Sequence, residues 1–270
     1  MDTTKQQLLC QGQKISTTAG VMDGQHAYFT SQFPRVYESI RRFDLLAQRL
    51  GDVLEIGPYY AYLPFFLRKH AATYTVMEGD DPAVYPLLPL YREHSIEYSC
   101  VDLFEMFGPV HSARHALPLP GEAYDTILCW DTIEHFSFNP VKFVRELHRL
   151  LRPGGRAYVT VPNRASFQNL VGVLFGRSEQ EHIAAYYQFE NYESNGKKAY
   201  YGFHWREYSP PELRRLFTGA DFRVTACRSF TAFQDYGSVS IPRNIARAAS
   251  RWGTSLLPRF GTHVLLMAEK

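Results

Sequence analysis

The chain of 270 residues holds only four cysteines, Cys10, Cys100, Cys129 and Cys227, far apart and without a C-x-x-C pair. That excludes a dense disulfide framework or a zinc knuckle and fits reduced thiols in a cytosolic protein. No window approaches the roughly 20 apolar residues that a membrane helix needs. An excess of one charge is missing too: 29 Lys and Arg against 27 Asp and Glu leave a net charge of +2, too mild for a nucleic-acid surface. The opening Met1-Asp-Thr-Thr4 carries neither the basic segment nor the apolar run of a signal peptide, so a cytoplasmic location is expected.

What is present is a hydrophobic content of 45%, enough for a full core, in a length that suits one α/β domain with an insertion. The stretch Asp52-Val-Leu-Glu-Ile-Gly-Pro-Tyr-Tyr-Ala-Tyr62 organises the rest. Val53, Leu54 and Ile56 form the apolar run of a buried parallel strand. Gly57 ends it at a turn, and a helix-like run follows from Leu63 to Lys69. Strand, tight turn and helix in that order set free backbone N–H groups at the carboxyl edge of a sheet, where open α/β sheets hold nucleotide-like ligands. A second strand, Tyr74 to Glu78, ends in an acid that can accept hydrogen bonds from ribose hydroxyls.

Residues 1 to 24 are polar and carry Gly20 and Gly24, which reads as a loose arm. Phe29, Phe33, Val36, Ile40, Phe43 and Leu46 recur at helical spacing, interrupted by Pro34, so residues up to 50 form a helical cap over the sheet edge or the cleft. Asp81-Pro82 opens a further helix, and Ser95 to Val101 alternates as a strand ending at Asp102. Tyr124 to Trp130 is the next strand and runs into Asp131-Thr-Ile-Glu-His135. Asn139-Pro140 caps a helix through Leu151, and Arg152-Pro-Gly-Gly155 turns the chain into a strand from Arg156 to Val161. Residues 164 to 205 break the α/β rhythm with an aromatic segment that includes Tyr186, Tyr187, Phe189, Tyr192, Tyr200 and Tyr201, read as a lid or substrate platform over the cleft. Ser209-Pro-Pro-Glu212 starts a helix with a capping-box acid. Strands from Phe222 to Phe233 and from His263 to Ala268 close the chain, with a helix candidate from Pro242 to Leu257 between them.

With these elements in order, the sequence resembles the class I S-adenosylmethionine-dependent methyltransferases over about residues 50 to 235 and again at the last strand. The matching residues are Glu55-Ile-Gly57, Glu78, Asp102, Tyr124-Asp125 with Glu134-His135, and Leu151-Arg-Pro-Gly-Gly155. The resemblance implies a Rossmann-like seven-stranded α/β sheet in the order 3-2-1-4-5-7-6, with helices on both faces and the last two strands an antiparallel pair. An N-terminal arm and helical cap (1–50) precede the methyltransferase domain (51–270), whose insertion (164–205) follows the fifth strand. It also implies S-adenosylmethionine as cofactor, with S-adenosylhomocysteine as product. Glu55 belongs to the cofactor motif, Gly57 approaches the methionine part, Glu78 holds the ribose diol, and Asp102 contacts the adenine amine with Leu103 beside the ring. Trp130 and Asp131 lie near the sulfonium. The family's usual Glu-x-Gly-x-Gly-x-Gly departs here to Tyr59 and Ala61, and Tyr59 either displaces the carboxylate of the cofactor or hydrogen-bonds to it.

Asn163 and His204-Trp-Arg-Glu-Tyr208 look most like enzymes encoded with sugar- and polysaccharide-building proteins, so the expected reaction is O-methylation of a sugar or glycan hydroxyl. The alternatives are a small aromatic or lipid-like acceptor, and a cofactor-binding pseudoenzyme. A hydroxyl acceptor needs a base, and His204, Asp131 and His135 are the candidates. Asp131, His135, His182 and His204 could ligate a metal in principle, but their spacing carries no metal-site signature and none is expected. In the last helix candidate Arg243, Arg247 and Arg251 recur every four residues opposite an apolar stripe. Residues 242 to 257 could therefore touch a membrane surface or a phosphate-bearing lipid carrier, or simply form a solvated face.

Overall fold

Seven segments of the chain line up in a single sheet. They are β1 (Gly51–Ile56), β2 (Ala71–Glu78), β3 (Glu97–Cys100), β4 (Tyr124–Trp130), β5 (Leu151–Pro162), β6 (Arg223–Phe230) and β7 (His263–Glu269). The computed structural model describes residues 2–21, 23–79, 85–108, 116–176, 193–194, 197–198, 203–232, 254 and 257–270. The strand order is β3-β2-β1-β4-β5-β7-β6, as the motif order implied. β1 to β5 run parallel, and β7 pairs antiparallel with both β5 and β6.

Successive strand residues point to opposite faces and so feed two cores. Val53, Leu128 and Tyr158 pack with Phe29, Phe33, Ile40 and Phe66 on one face. Leu54, Ile127 and Val159 pack with Phe143, Leu147, Leu213 and Phe217 on the other. The first face is covered by α1 (Thr3–Ala19), α2 (Asp23–Phe43), α3 (Leu63–Leu67) and α4 (Leu88–Glu93). The second is covered by α5 (Leu103–Phe107), α6 (Pro140–Leu150) and α8 (Pro210–Thr218), while α7 (Phe167–Leu174) follows β5. The expected capping residues are in place: Asn139 Oδ1 accepts from the Val141 amide at 3.0 Å, and Ser209 with Glu212 forms a capping box.

Three expectations change. The N-terminal segment is a helix and not a loose arm: Asp2 caps α1 through the amides of Thr4 and Lys5, and Gly20 closes it at φ 61°. Its buried residues, Leu8, Gly12, Ile15 and Ser16, recur at helical spacing but include only two large apolar side chains, too thin a stripe to stand out. Pro34 does not interrupt the next helix, because α2 runs through it. A proline costs a helix interior about 3 kcal/mol, and here the buried Phe29, Phe33, Val36, Ile40 and Phe43 on either side offset it. The fifth strand begins at Leu151, which pairs with Tyr124, and not after the glycines. The aromatic tyrosines of the insertion, the Asp81-Pro82 helix start and nearly all of the 242–257 helix candidate lie outside the described residues. Among the described residues no helix is long and apolar enough to cross a membrane.

Candidate functional site

The carboxyl ends of β1, β2, β3 and β4 meet along one edge. Gly57 follows β1 at φ 65°, and a Cβ there would stand 2.9 Å from Thr132 Oγ1. Thr132 in turn donates its hydroxyl to the carbonyls of Ile56 at 3.2 Å and Trp130 at 3.1 Å, so the ends of β1 and β4 close on a position that only glycine fits. Tyr59 is also left-handed, at φ 46°, and its amide donates to Glu78 Oε1 at 2.5 Å. Its ring is 43% exposed and stands edge-on to Tyr28 and Tyr60, 4.9 and 4.6 Å away. Glu78, at the end of β2, therefore faces the turn after β1.

Beneath that turn Glu55 is buried and accepts from the Tyr74 hydroxyl at 2.5 Å. Burial pushes its carboxyl up to about 8, against the pull of the Tyr74 hydrogen bond and with a smaller push from Glu78. Asp102 caps α5, its Oδ1 accepting from the amides of Phe104 at 2.9 Å and Glu105 at 3.2 Å, and Leu103 opens that helix. Trp130 ends β4 with its ring 5.9 Å from Phe43, and its buried indole N–H finds no hydrogen-bond partner among the described residues. A buried donor left over in this way is the kind of group that a ligand satisfies.

The chain after β4 carries the charged part of the site. Asp131 adopts φ 46°, its amide donates to the Thr160 carbonyl at 2.8 Å and its Oδ1 accepts from the Thr160 hydroxyl at 3.0 Å. Its other oxygen forms an ion pair with Arg35 of α2, a guanidinium only 3% exposed. Burial works to raise the Asp131 carboxyl, but Arg35, then His263 and the Thr160 hydrogen bond, hold it below the usual carboxylate value. Tyr28, two turns before Arg35, is pushed up to about 12 by burial, with Arg35 opposing and Asp131 adding. Asp131 is thus a fixed anion, committed to Arg35 and Thr160.

A short turn, Ile133–His135, then brings Glu134 and His135 inward. Glu134 is 0% exposed and neither carboxylate oxygen has a hydrogen-bond partner among the described residues. Burial first, and the charge of Asp131 second, push its carboxyl well above the usual range. His135 Nδ1 lies 3.0 Å from the Phe203 carbonyl, and burial, with His204 adding, lowers the imidazole to about 4. His204 stands edge-on to His135, ring centres 4.9 Å apart, with its Nδ1 3.2 Å from Glu207 Oε1. Asn169 of α7 donates to the other Glu207 oxygen at 3.0 Å. The strap of residues 203–208 is held here by the Arg206 amide on the Glu134 carbonyl and by the bridge between Asn163 and Tyr208.

The fold therefore gathers the sequence candidates into two neighbouring groups. Glu55, Gly57, Tyr59, Glu78, Asp102, Leu103 and Trp130 occupy or underlie the strand-end edge, and Asp131, His135 and His204 form the polar cluster beside Trp130. Asn163 serves architecture: its amide nitrogen donates to the carbonyls of Gly261 at 2.7 Å and Arg259 at 3.2 Å. Arg35, Tyr28 and Glu207 escaped the sequence reading. Arg35 had a signal, a fixed cation beside the apolar stripe of α2, whereas Glu207 had none beyond its place in the His204-to-Tyr208 motif.

A family described as a methyltransferase domain matches residues 28–226. A protein of Mycolicibacterium smegmatis named as a probable S-adenosylmethionine-dependent methyltransferase is 29% identical over 133 residues, 47% of this chain and 46% of its own length. A ubiquinone biosynthesis O-methyltransferase of Klebsiella pneumoniae is 27% identical over 140 residues, 49% of this chain and 53% of its own. The chain spans about half the length of these curated relatives. Among solved structures, an S-adenosylmethionine-dependent methyltransferase from Mesorhizobium loti superposes with a TM-score of 0.53 at 12% identity, covering 89% of this chain and 98% of that one. The [4+2]-cyclase SpnF superposes at 0.50 and 16% identity, covering 88% and 80%. At such identities the likeness is one of fold, and a cyclase among the neighbours separates fold from chemistry.

Proposed function

The chain belongs to the class I S-adenosylmethionine-dependent methyltransferase family, and from that premise we propose that it transfers the cofactor's methyl group to a hydroxyl oxygen, on a sugar or glycan. The strand-end edge fits the cofactor: Gly57, left-handed and packed against Thr132, keeps the turn after β1 tight, and the Trp130 indole N–H is a buried donor without an acceptor among the described residues. Glu78 would take the ribose hydroxyls, Asp102 and Leu103 the adenine, and Gly57 with Tyr59 the methionine part. When bound, the cofactor supplies a methyl group on positively charged sulfur, already activated for displacement. The protein's share is alignment, exclusion of water and removal of the acceptor proton.

The observation that carries an oxygen acceptor is the polar cluster beside Trp130. Arg35, Asp131, Glu134, His135 and His204 converge there, a set suited to a hydroxylated molecule and to taking up a proton. Asp131, locked to Arg35, supplies a fixed negative charge near the sulfonium site, and proton removal falls to the group around His204. The K. pneumoniae relative, named for O-methylation in ubiquinone biosynthesis, supports oxygen as the acceptor atom and favours a second reading, a phenolic or lipid-like acceptor. Exposed apolar residues on and after α7, Val173, Leu174 and Phe175, suit that reading as well.

The test is calorimetric titration with S-adenosylmethionine and S-adenosylhomocysteine for the wild type and a Glu78→Ala variant, followed by methyl transfer to sugar and catechol acceptors. Cofactor binding that is lost in the variant, with turnover on sugars, supports the proposal. Turnover on catechols alone moves the reading to phenols, and binding with no turnover on any acceptor makes the protein a pseudoenzyme.

A further inference from the structure

Glu134, His135 and His204 form a group whose ligand atoms, one carboxylate oxygen and one nitrogen from each imidazole, all lie within 4.8 Å of one another. We propose that this group binds a divalent transition-metal ion of the Mn2+, Co2+ or Zn2+ class through Glu134 and the Nε2 atoms of His135 and His204. Bonds of about 2.0–2.2 Å in a tetrahedral arrangement set the ligand atoms of one ion about 3.3–3.6 Å apart, so side-chain rotations that draw the group together by up to about 1.5 Å seat the ion.

Three observations point the same way. The first is the Glu134 carboxylate, fully buried, without a hydrogen-bond partner among the described residues and with Oε1 3.9 Å from His135 Nε2. A carboxylate placed so is costly unless a cation meets it. The second is the outer support of both histidines. A carbonyl only accepts, so the Phe203 oxygen fixes the proton of His135 on Nδ1 and leaves the lone pair on Nε2. Glu207 accepts from Nδ1 of His204 and holds that ring in place, and Asn169 steadies Glu207. Metal-binding histidines are held in this way, with the far ring nitrogen on a carbonyl or carboxylate. The third is the donor set itself: two imidazoles and one carboxylate leave positions open for an exchangeable ligand, as in catalytic sites. Asp131 stays outside the set because Arg35 and Thr160 hold both of its oxygens.

Binding of the ion stands by itself, and its catalytic use rests on the methyl-transfer reading above. An acceptor hydroxyl on the ion loses its proton to solvent at neutral pH more readily than a free alcohol. Its oxygen then forms the O–CH3 bond while the C–S bond breaks and leaves its electron pair on sulfur, giving a methyl ether and S-adenosylhomocysteine. With the ion bound, His204 acts as a ligand and no longer as part of the proton-removing group, and Glu207 as a positioning residue.

The experiment is calorimetric titration of the chelator-stripped full chain with MnCl2, CoCl2 and ZnCl2 in the absence of cofactor and acceptor, with thermal melts of every variant. Expected is one ion per chain, stoichiometric binding lost in E134Q and H204A, and affinity weakened about 10–100-fold in E207Q, which does not touch the ion. No uptake of any of the three ions by the wild type overturns the proposal, as does undiminished binding in E134Q and H204A. If either of those variants fails to fold, unchanged affinity in E207Q overturns it instead. Because no step involves cofactor or turnover, failure here leaves the methyl-transfer reading intact, and failure of S-adenosylmethionine to bind leaves this result intact.

Discussion

Arg35, in the middle of α2, and Asp131, just past the end of β4, form a buried ion pair that fastens the N-terminal cap to the functional edge of the sheet. The pair ties α2 to the site's charge. Replacing Arg35 with Met leaves Asp131 buried beside Glu134 without its cation, and breaking one side of such a pair costs about 3–5 kcal/mol. R35M is therefore expected to unfold at markedly lower urea concentration, and an R35M/D131N double variant to recover much of the loss. A double variant no more stable than R35M would mean that Arg35 acts through packing and not through charge.

Gly12 of α1 stands against Phe29 of α2, where a Cβ would come within 2.1 Å of the ring. Phe29 is fully buried between Phe33, Tyr62 and Phe66, so its ring has little room to retreat. An alanine in a helix interior normally gains up to about 1 kcal/mol over glycine. Here overpacking opposes it, and G12A is expected to lose about 1–3 kcal/mol net. Chemical denaturation of the variant decides between a docked α1 and an arm that contributes nothing, since an undocked helix would be stabilised by the change.

The contrast between α1 and the sheet shows what could be read in advance. β1 and β4 carry Val53, Leu54 and Ile127, Leu128, Cys129, runs that announce buried strands, and the acids at the ends of β2 and β3 fall where the family order requires them. α1 buries only Leu8 and Ile15 among large side chains and relies on the close approach at Gly12, which leaves no periodic signal. The interruption expected at Pro34 failed for the opposite reason: a local breaker was overruled by burial along the whole of α2. The polar cluster was half legible. Asp131 and His135 are neighbours in sequence, but Arg35, Asn169, His204 and Glu207 come from distant segments, and no spacing rule joins groups that only tertiary folding brings together.

Glu55 gives the fold a pH signature. Its carboxyl titrates near 8 when folded, raised by burial from 4.5, the ordinary value it takes in the unfolded chain. Below that ordinary value both states are protonated and the contribution to stability is fully present. As pH rises from there towards 8 the unfolded chain ionises while the folded one resists, so stability is lost, and above the folded value the loss is complete. E55Q, whose amide oxygen still accepts from Tyr74, is expected to match the wild type near pH 4.5 and to exceed it by a few kcal/mol, as an order of magnitude, at about pH 9. Urea unfolding across this range checks it; parallel curves for the two proteins would show that Glu55 is ionised in the folded state.

Gly57 is where turn geometry and ligand approach meet, and substituting it separates the two. At φ 65° any Cβ is strained, and this one would also stand 2.9 Å from Thr132 Oγ1 and 3.0 Å from its Cγ2. The strain alone costs about 1–3 kcal/mol. In G57A the Thr132 side chain must move, and with it go its hydrogen bonds to the Ile56 and Trp130 carbonyls that draw β1 and β4 together. The expected result is a modest fall in melting temperature and a loss of S-adenosylmethionine affinity of at least about tenfold, because the displaced turn no longer presents its backbone to the ligand. Pairing the change with T132A removes the clash but not the backbone strain, so it should restore part of the affinity and little of the stability. Full affinity in G57A alone would mean that the cofactor does not approach the chain at this turn, and Glu78 would then have to be tested without Gly57 as its neighbour in the site.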